Sequence, residues 1–244
     1  MGKENIKSEK QSFLRKIDWV KISMPILGIL VGAMVGSIII AAQGVNPLEA
    51  YYFLIQGAMG SVENLIGSLV KTIPLAITGL AVVFSYKANI FNVGAEGQLY
   101  LGAVAATLVG TSFAGLFSPV HILLALALAA VFGGALAFIP GYLKAYKGFN
   151  EIVVTMLLNY IAVLFISFLV QGPMKEKGDF YPRSALLEKT AQLPKFTGTQ
   201  LHYGIIVMIV IAIFVYFIFK KTTLGYQIKA VGASPRAATY AGMN

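Results

Sequence analysis

The sequence predicts an all-α polytopic membrane protein of about six transmembrane helices, and three observations predict it. Of the 244 residues, 57% are hydrophobic and 12% are charged, a balance that a water-soluble fold of this length could not carry without exposing large apolar patches. The apolar residues gather in runs close to the roughly 20 needed to cross a ~30 Å hydrocarbon core. The charged residues stand mostly between those runs.

The first run, 22–42, follows a segment with six basic and three acidic residues and no convincing small-residue cleavage site, so it reads as a retained signal anchor with a cytoplasmic N-terminus. Within it Gly28, Gly32 and Gly36 lie on nearly one helical face, which suits close helix packing. The next segment, 46–61, opens with Asn-Pro and mixes polar with aromatic residues, as expected of a helix lying on the membrane surface. The second run, 65–84, is the weakest. Lys71, Thr72 and Pro74 interrupt it, and it is expected to be a broken helix of the kind transporters place at solute sites. Further runs cover 99–117, 120–138, 152–170 and 203–219. The loop 171–202, with Pro173, Pro182, Pro194 and mixed charge, reads either as an outward docking surface or as a plain solvated loop.

Orientation follows from basic residues. Lys3, Lys7, Lys10, Arg15, Lys16, Lys21, Lys87, Lys144, Lys147, Lys220, Lys221, Lys229 and Arg236 fall on the expected inner side, whereas Lys71, Lys175, Lys177, Arg183, Lys189 and Lys195 fall outside. That excess of basic residues places both termini in the cytoplasm. The expected organisation is a cytoplasmic N-terminal segment 1–21, a transmembrane bundle 22–219 and a cytoplasmic segment 220–244. The net charge of +9 is explained by this distribution, and no nucleic-acid surface is needed to account for it.

Several chemistries are excluded. No cysteine is present, so disulfides and thiolate sites are ruled out. His121 and His202 are far apart at the starts of apolar runs and read as interfacial anchors, leaving no metal cluster. No G-x-x-x-x-G-K-[ST] loop occurs, so nucleotide hydrolysis is expected in a separate subunit; no catalytic constellation or cofactor site is visible.

Polar groups inside apolar sequence are the candidate site. Asn92, Glu96 and Gln98 stand among glycines between two apolar runs, where unsatisfied polar groups would cost several kcal/mol in hydrocarbon. Hydropathy puts them at the inner interface, whereas a re-entrant arrangement would carry them deeper. Glu151, Thr155 and Asn159 recur every four residues and form one polar stripe, with Asn159 about 12 Å along the helix from Glu151. The stripe faces either a solute pathway or a neighbouring helix. No firmly mid-span charge is present, which favours a neutral, hydrogen-bonding solute.

Three segments carry a resemblance. Asn92-Val93-Gly94-Ala95-Glu96-Gly97-Gln98, after Phe91, resembles the FNIGxEGQ-type signature of ABC importer permeases for nucleosides and simple sugars, a branched-chain amino acid permease-like family, with Val93 replacing isoleucine. The stretch 150–162 is similar to the NE(V/I)xxTxMLNYIA segment of the same family, and 222–243 to its TxxGxxxRAVGxNPxAAxYAGI segment, with Lys229 where arginine is usual. The resemblance implies a permease subunit of the bacterial cell membrane that moves nucleosides or simple sugars by ATP-driven alternating access. Its implied partners are ATP-binding cassette subunits, a second permease subunit and an extracytoplasmic substrate-binding lipoprotein. Asn92, Glu96, Gln98, Thr155 and Asn159 would line the pathway. Lys229, Gly232, Arg236, Ala237, Ala238 and Gly242 would couple to the ATPase. Family members run on through further helices, so the chain is expected to be the N-terminal part of a permease. The alternatives are an ion-coupled secondary transporter or channel, and a non-transporting truncated scaffold.

Overall fold

The computed structural model describes residues 19–113 and 115–243; segment 1–18, most of the expected N-terminal cytoplasmic segment 1–21, lies outside them. Among the described residues the fold is all-α: α1 (Trp19–Ala42), α2 (Pro47–Met59), α3 (Val62–Lys87), α4 (Ala95–Ser112), α5 (Ser118–Lys147), α6 (Glu151–Gln171), α7 (Gly204–Lys221), α8 (Thr223–Ala233) and α9 (Pro235–Tyr240), with one 3₁₀ turn at Lys189–Ala191. Five helices among the described residues are long and apolar enough to cross a membrane. The sixth expected span is α4, whose first turn carries Glu96 and Gln98 and so dilutes its hydropathy.

The chain divides into two compact units after Leu65. In the first, α2 is capped by the Asn46 side chain, which accepts from the Leu48 N–H, a local bond that starts a helix where Pro47 fits the first turn. The helix folds back on α1: the Tyr51 hydroxyl donates to the Ala33 carbonyl at 2.6 Å. Among the described residues, a Cβ at Gly36 would meet the Tyr51 hydroxyl, while one at Gly28 or Gly32 would meet nothing within 4 Å.

In the second unit α4 is the centre, packed against α5 and α6. Its buried residues, Gly97, Gly102, Val104, Ala105, Val109 and Gly110, are small, so neighbouring backbones come close. A Cβ at Gly102 would sit 3.0 Å from the Ala129 carbonyl, and one at Gly133 the same distance from the Gln98 carbonyl. Two expectations are corrected here. The helix through Pro74 is continuous from Val62 to Lys87 rather than broken, because the ring removes one donor but neighbouring turns keep theirs. The fourth span does not stop at Phe138; α5 runs through Pro140 to Lys147 and ends at Gly148, in the left-handed region.

The loop 171–202 is tied down by its own polar groups. Arg183 pairs with Asp179 and, at 3.0 Å, with Glu176. His121 is fully buried and not an interfacial anchor: Nε2 donates to the Val109 carbonyl at 3.0 Å and Nδ1 lies 2.9 Å from the Thr190 hydroxyl. Because a carbonyl only accepts, the Val109 contact puts a proton on Nε2. The histidine thereby satisfies a carbonyl in the last turn of α4 and anchors the 3₁₀ turn beside it. His202 accepts from the Gly204 N–H at 3.1 Å, opening α7.

Candidate functional site

The site grows from the end of α3. The Ile90 N–H bonds the Ser85 carbonyl and the Asn89 N–H bonds Tyr86, a paired closure with Asn89 at φ 57. Asparagine tolerates this left-handed conformation better than most side chains. The chain then turns irregularly from 90 to 94 and enters α4 at Ala95.

Within that turn the side chains interlock. Asn92 Oδ1 accepts from the Gly94 N–H at 3.0 Å, which fixes which end of the amide is oxygen. Asn92 Nδ2 then donates to Gln98 Oε1, and Gln98 Nε2 returns a bond to Asn92 Oδ1, both at 3.1 Å. The two amides form a reciprocal pair. One N–H on each amide and one lone pair on Gln98 take no part in it.

The polar stripe of α6 meets this turn. Thr155, only 2% exposed, accepts from the Val93 N–H at 3.3 Å while donating back to Glu151. Asn159 Oδ1 accepts from the Gly97 N–H at 2.5 Å, and its Nδ2 donates to Glu96 at 3.3 Å. Gly97 is an orphan donor in the first turn of α4, so Asn159 caps that helix across a long loop of sequence. A Cβ at Gly97 would meet Asn159 Oδ1 at 2.9 Å and the Ala162 Cβ at 3.0 Å. Glu151 pairs with Lys144 at 2.7 Å, joining α5 to α6.

All five residues expected to line a pathway are therefore neighbours, but they do different jobs. Thr155 and Asn159 use their polar atoms to hold the turn, and Glu96 is largely exposed. Asn92 and Gln98 face open volume. They line a cavity of about 330 Å³ whose other walls include Ile77, Leu80, Phe84, Ala137 and Ile211. A second cavity of about 200 Å³ adjoins Asn92, Thr155 and Ile228. Sequence reasoning missed the glycines as the contact surface and the role of Ser85, whose carbonyl accepts the Ile90 N–H at the close of α3 and which lines both cavities.

The six residues expected to couple to an ATPase fall in α8, α9 and the turn that follows. Gly232 lies against the Lys87 carbonyl, and Lys229 Nζ donates to the Phe219 carbonyl at 2.8 Å. Ala238 is buried, while Arg236 and Ala237 are exposed. Gly242 has φ +76 and closes α9, with the Met243 N–H bonding the Ala238 carbonyl. Among the described residues no group of three or more His, Asp or Glu could hold a metal ion.

Comparison with known proteins places this arrangement. Residues 64–244 match the family described as the permease component of the branched-chain amino acid transport system. A guanosine ABC transporter permease protein of Bacillus subtilis is 34% identical over 227 residues, covering 91% of this chain and 64% of its own length. A glucose ABC transporter permease protein of Haloferax volcanii is 34% identical over 238 residues, 93% of this chain and 62% of its own. A nucleoside ABC transporter permease protein of Lactococcus lactis is 32% identical over 241 residues, 92% and 64% respectively. The chain thus spans less than two thirds of the length of these relatives. No solved structure matched it. With five helices fit to cross a membrane and a family match over most of its length, the chain is a multi-pass membrane protein that belongs to the branched-chain amino acid transport system permease family.

Proposed function

We propose that the chain serves as a permease subunit of an ABC importer carrying a neutral, hydrogen-bonding solute of the nucleoside or simple-sugar class. The observation that carries this reading is the Asn92–Gln98 amide pair on the wall of a cavity whose other lining residues, Ser85 apart, are apolar. Apolar walls with a few placed polar groups suit a small ring-shaped solute, and no charge of either sign is among the lining residues. The names of the relatives, guanosine, nucleoside and glucose permeases, support the same class. ATP hydrolysis is assigned to separate ATP-binding cassette subunits, with a second permease subunit completing the pathway and an extracytoplasmic lipoprotein delivering the solute. Both termini are assigned to the cytoplasm.

Uptake by vesicles holding the complete transporter tests the cavity. Among the described residues the Gln98 side chain bonds only the Asn92 side chain, so Gln98→Leu removes polar groups from the wall without uncapping a helix. Uptake of the cognate solute should fall about three- to tenfold, the range expected for one neutral hydrogen bond; parental uptake by equally abundant protein would remove Gln98 from the pathway. Topology is tested separately. Because the chain contains no cysteine, Lys147→Cys and Lys221→Cys should react with an impermeant thiol reagent from the cytoplasmic side only, and Lys177→Cys and Lys189→Cys from outside only.

A further inference from the structure

Helix α8 touches two things at once. A Cβ on Gly232 would collide with the Lys87 carbonyl oxygen and lie 3.1 Å from the Ala88 carbonyl carbon, so the two backbones are in direct contact at the end of α3. One turn earlier on the same face, Ile228 lines the 200 Å³ cavity together with Ile90, Asn92 and Thr155. The same helix is also fixed to α7: the Thr222 hydroxyl, which caps α8 by accepting from the Gly225 N–H at 3.1 Å, donates to the Ile218 carbonyl at 2.7 Å, and Lys229 holds the Phe219 carbonyl.

We propose that the Gly232–Lys87 contact is the joint through which the C-terminal segment sets the position of the Asn92 turn, a positioning role that rests on the ATP-driven reading above. Two physical features fit it. The contact is backbone against backbone, so a shift of α8 cannot be absorbed by a side chain changing rotamer. The element on the other side of it has few backbone hydrogen bonds: residues 90–94 have no helical ladder and are held to α6 by the 3.3 Å bond from Val93 to Thr155 and by the approach of Gly94 to the Thr155 carbonyl. Local regions with few backbone hydrogen bonds are those that rearrange at small free-energy cost. Displacement of α8 is therefore delivered to the turn that carries one of the two amides on the cavity wall. Gly232 contacts neither solute nor nucleotide in this scheme.

The test uses the complete transporter in proteoliposomes, with single-cysteine reporters at Val93→Cys, half-exposed in the turn, and Tyr240→Cys, 93% exposed in α9. Labelling rates with a fluorescent maleimide are compared between nucleotide-free and vanadate-trapped ATP states. Both reporters should change by about threefold or more, as expected when a two-state equilibrium is moved. Adding Gly232→Ala should abolish the change at Val93→Cys, keep it at Tyr240→Cys, and lower kcat for uptake while leaving KM in place. Should Gly232→Ala fail to accumulate, Ile228→Ala, which only removes atoms, carries the same test and should at least halve the response at Val93→Cys. A response at Val93→Cys that persists in both variants, or that is absent in the parent while Tyr240→Cys responds, overturns the joint. Absence of a nucleotide response at Tyr240→Cys in the parent overturns the ATP-driven reading instead.

Discussion

In α1 a methyl group added to Gly28 or Gly32 would meet nothing within 4 Å, whereas in α4 one added to Gly97 or Gly102 would press on Asn159 or on the Ala129 carbonyl at about 3 Å. Both helices show glycines at spacings that allow close packing. They differ in what else they carry. The α1 window from Ser23 to Ala42 is strongly apolar and none of it is buried, while α4 begins with Glu96 and Gln98 and buries six residues. Lipid and leucine are equally apolar, so a glycine stripe supplies room for an approach but little drive for it. Polar groups supply the drive, because in hydrocarbon their donors and acceptors must find protein partners. The least apolar long helix is accordingly the one at the centre of its unit.

That contrast is broken most directly at Gly97. Gly97→Val should lower stability by about 3 kcal/mol, combining the overpacking penalty with displacement of the Asn159 amide from the Gly97 N–H. Titration with a denaturing detergent, read by the fluorescence of a reporter on α6, would measure it. An unchanged midpoint would mean that α4 and α6 separate easily and that the Gly97–Asn159 bond holds nothing.

The next effect should be at His121. His121→Leu leaves the Val109 carbonyl and the Thr190 hydroxyl without their ring partner, at roughly 1–3 kcal/mol for each group left unsatisfied in a dry site. Proteolysis within 171–202 should quicken in that variant, since the 3₁₀ turn at Lys189–Ala191 keeps only the Ser118 hydroxyl to Thr190 carbonyl bond of its two side-chain bonds to α5 among the described residues. His121→Gln, which can keep one donor, should recover part of the loss.

How much of this was legible in sequence depends on the kind of signal each residue leaves. The stripe Glu151, Thr155 and Asn159 announces itself through four-residue spacing, and Asn92 with Gln98 through polarity in an apolar context. Residue type and local spacing were enough. His121 was misread because a lone histidine at the start of an apolar run looks the same whether it faces headgroups or a distant loop; the partner, Thr190, is 69 residues away. The division of labour inside the site was likewise invisible. Asn159 and Asn92 are both amides in apolar sequence, yet one caps Gly97 and the other lines a cavity, and only the approach of α4 to α6 decides which. Pro74 misled in the opposite direction, since local chemistry disfavours proline in a helix while the flanking turns carry the helix through.

A smaller effect should separate shape from backbone conformation at Gly242. With φ +76 and nothing within 4 Å of an added Cβ, this glycine is required by its backbone and not by a neighbour. Gly242→Val should destabilise the end of α9 by about 1–2 kcal/mol and Gly242→Asn by clearly less, because asparagine enters the left-handed region more readily. Equal loss in the two variants, read as the rate of amide exchange in α9, would instead indicate that the site excludes any side chain, as a tightly filled groove does.

The smallest expected effect is at Gly28, and it is the one that most sharpens the comparison. Glycine in a helix interior is about 0.5–1 kcal/mol less favourable than alanine, because it gives up more backbone freedom on folding. Gly97→Ala gains the same propensity but must place its methyl 2.9 Å from Asn159 Oδ1, so its net effect should be a loss. Gly28→Ala meets no such obstacle and should be neutral or slightly stabilising in the isolated chain. The two alanine variants therefore carry identical chemistry, yet Gly97→Ala should lower the unfolding midpoint while Gly28→Ala leaves it in place or raises it slightly. If Gly28→Ala were to destabilise the isolated chain as much as Gly97→Ala, a close-packed neighbour would have to lie on that face of α1, and the distinction between a glycine stripe and a packed helix would fail. If it is neutral alone but lowers the stability of the assembled transporter, the stripe is used between subunits, and the same measurement repeated on the complex would show it.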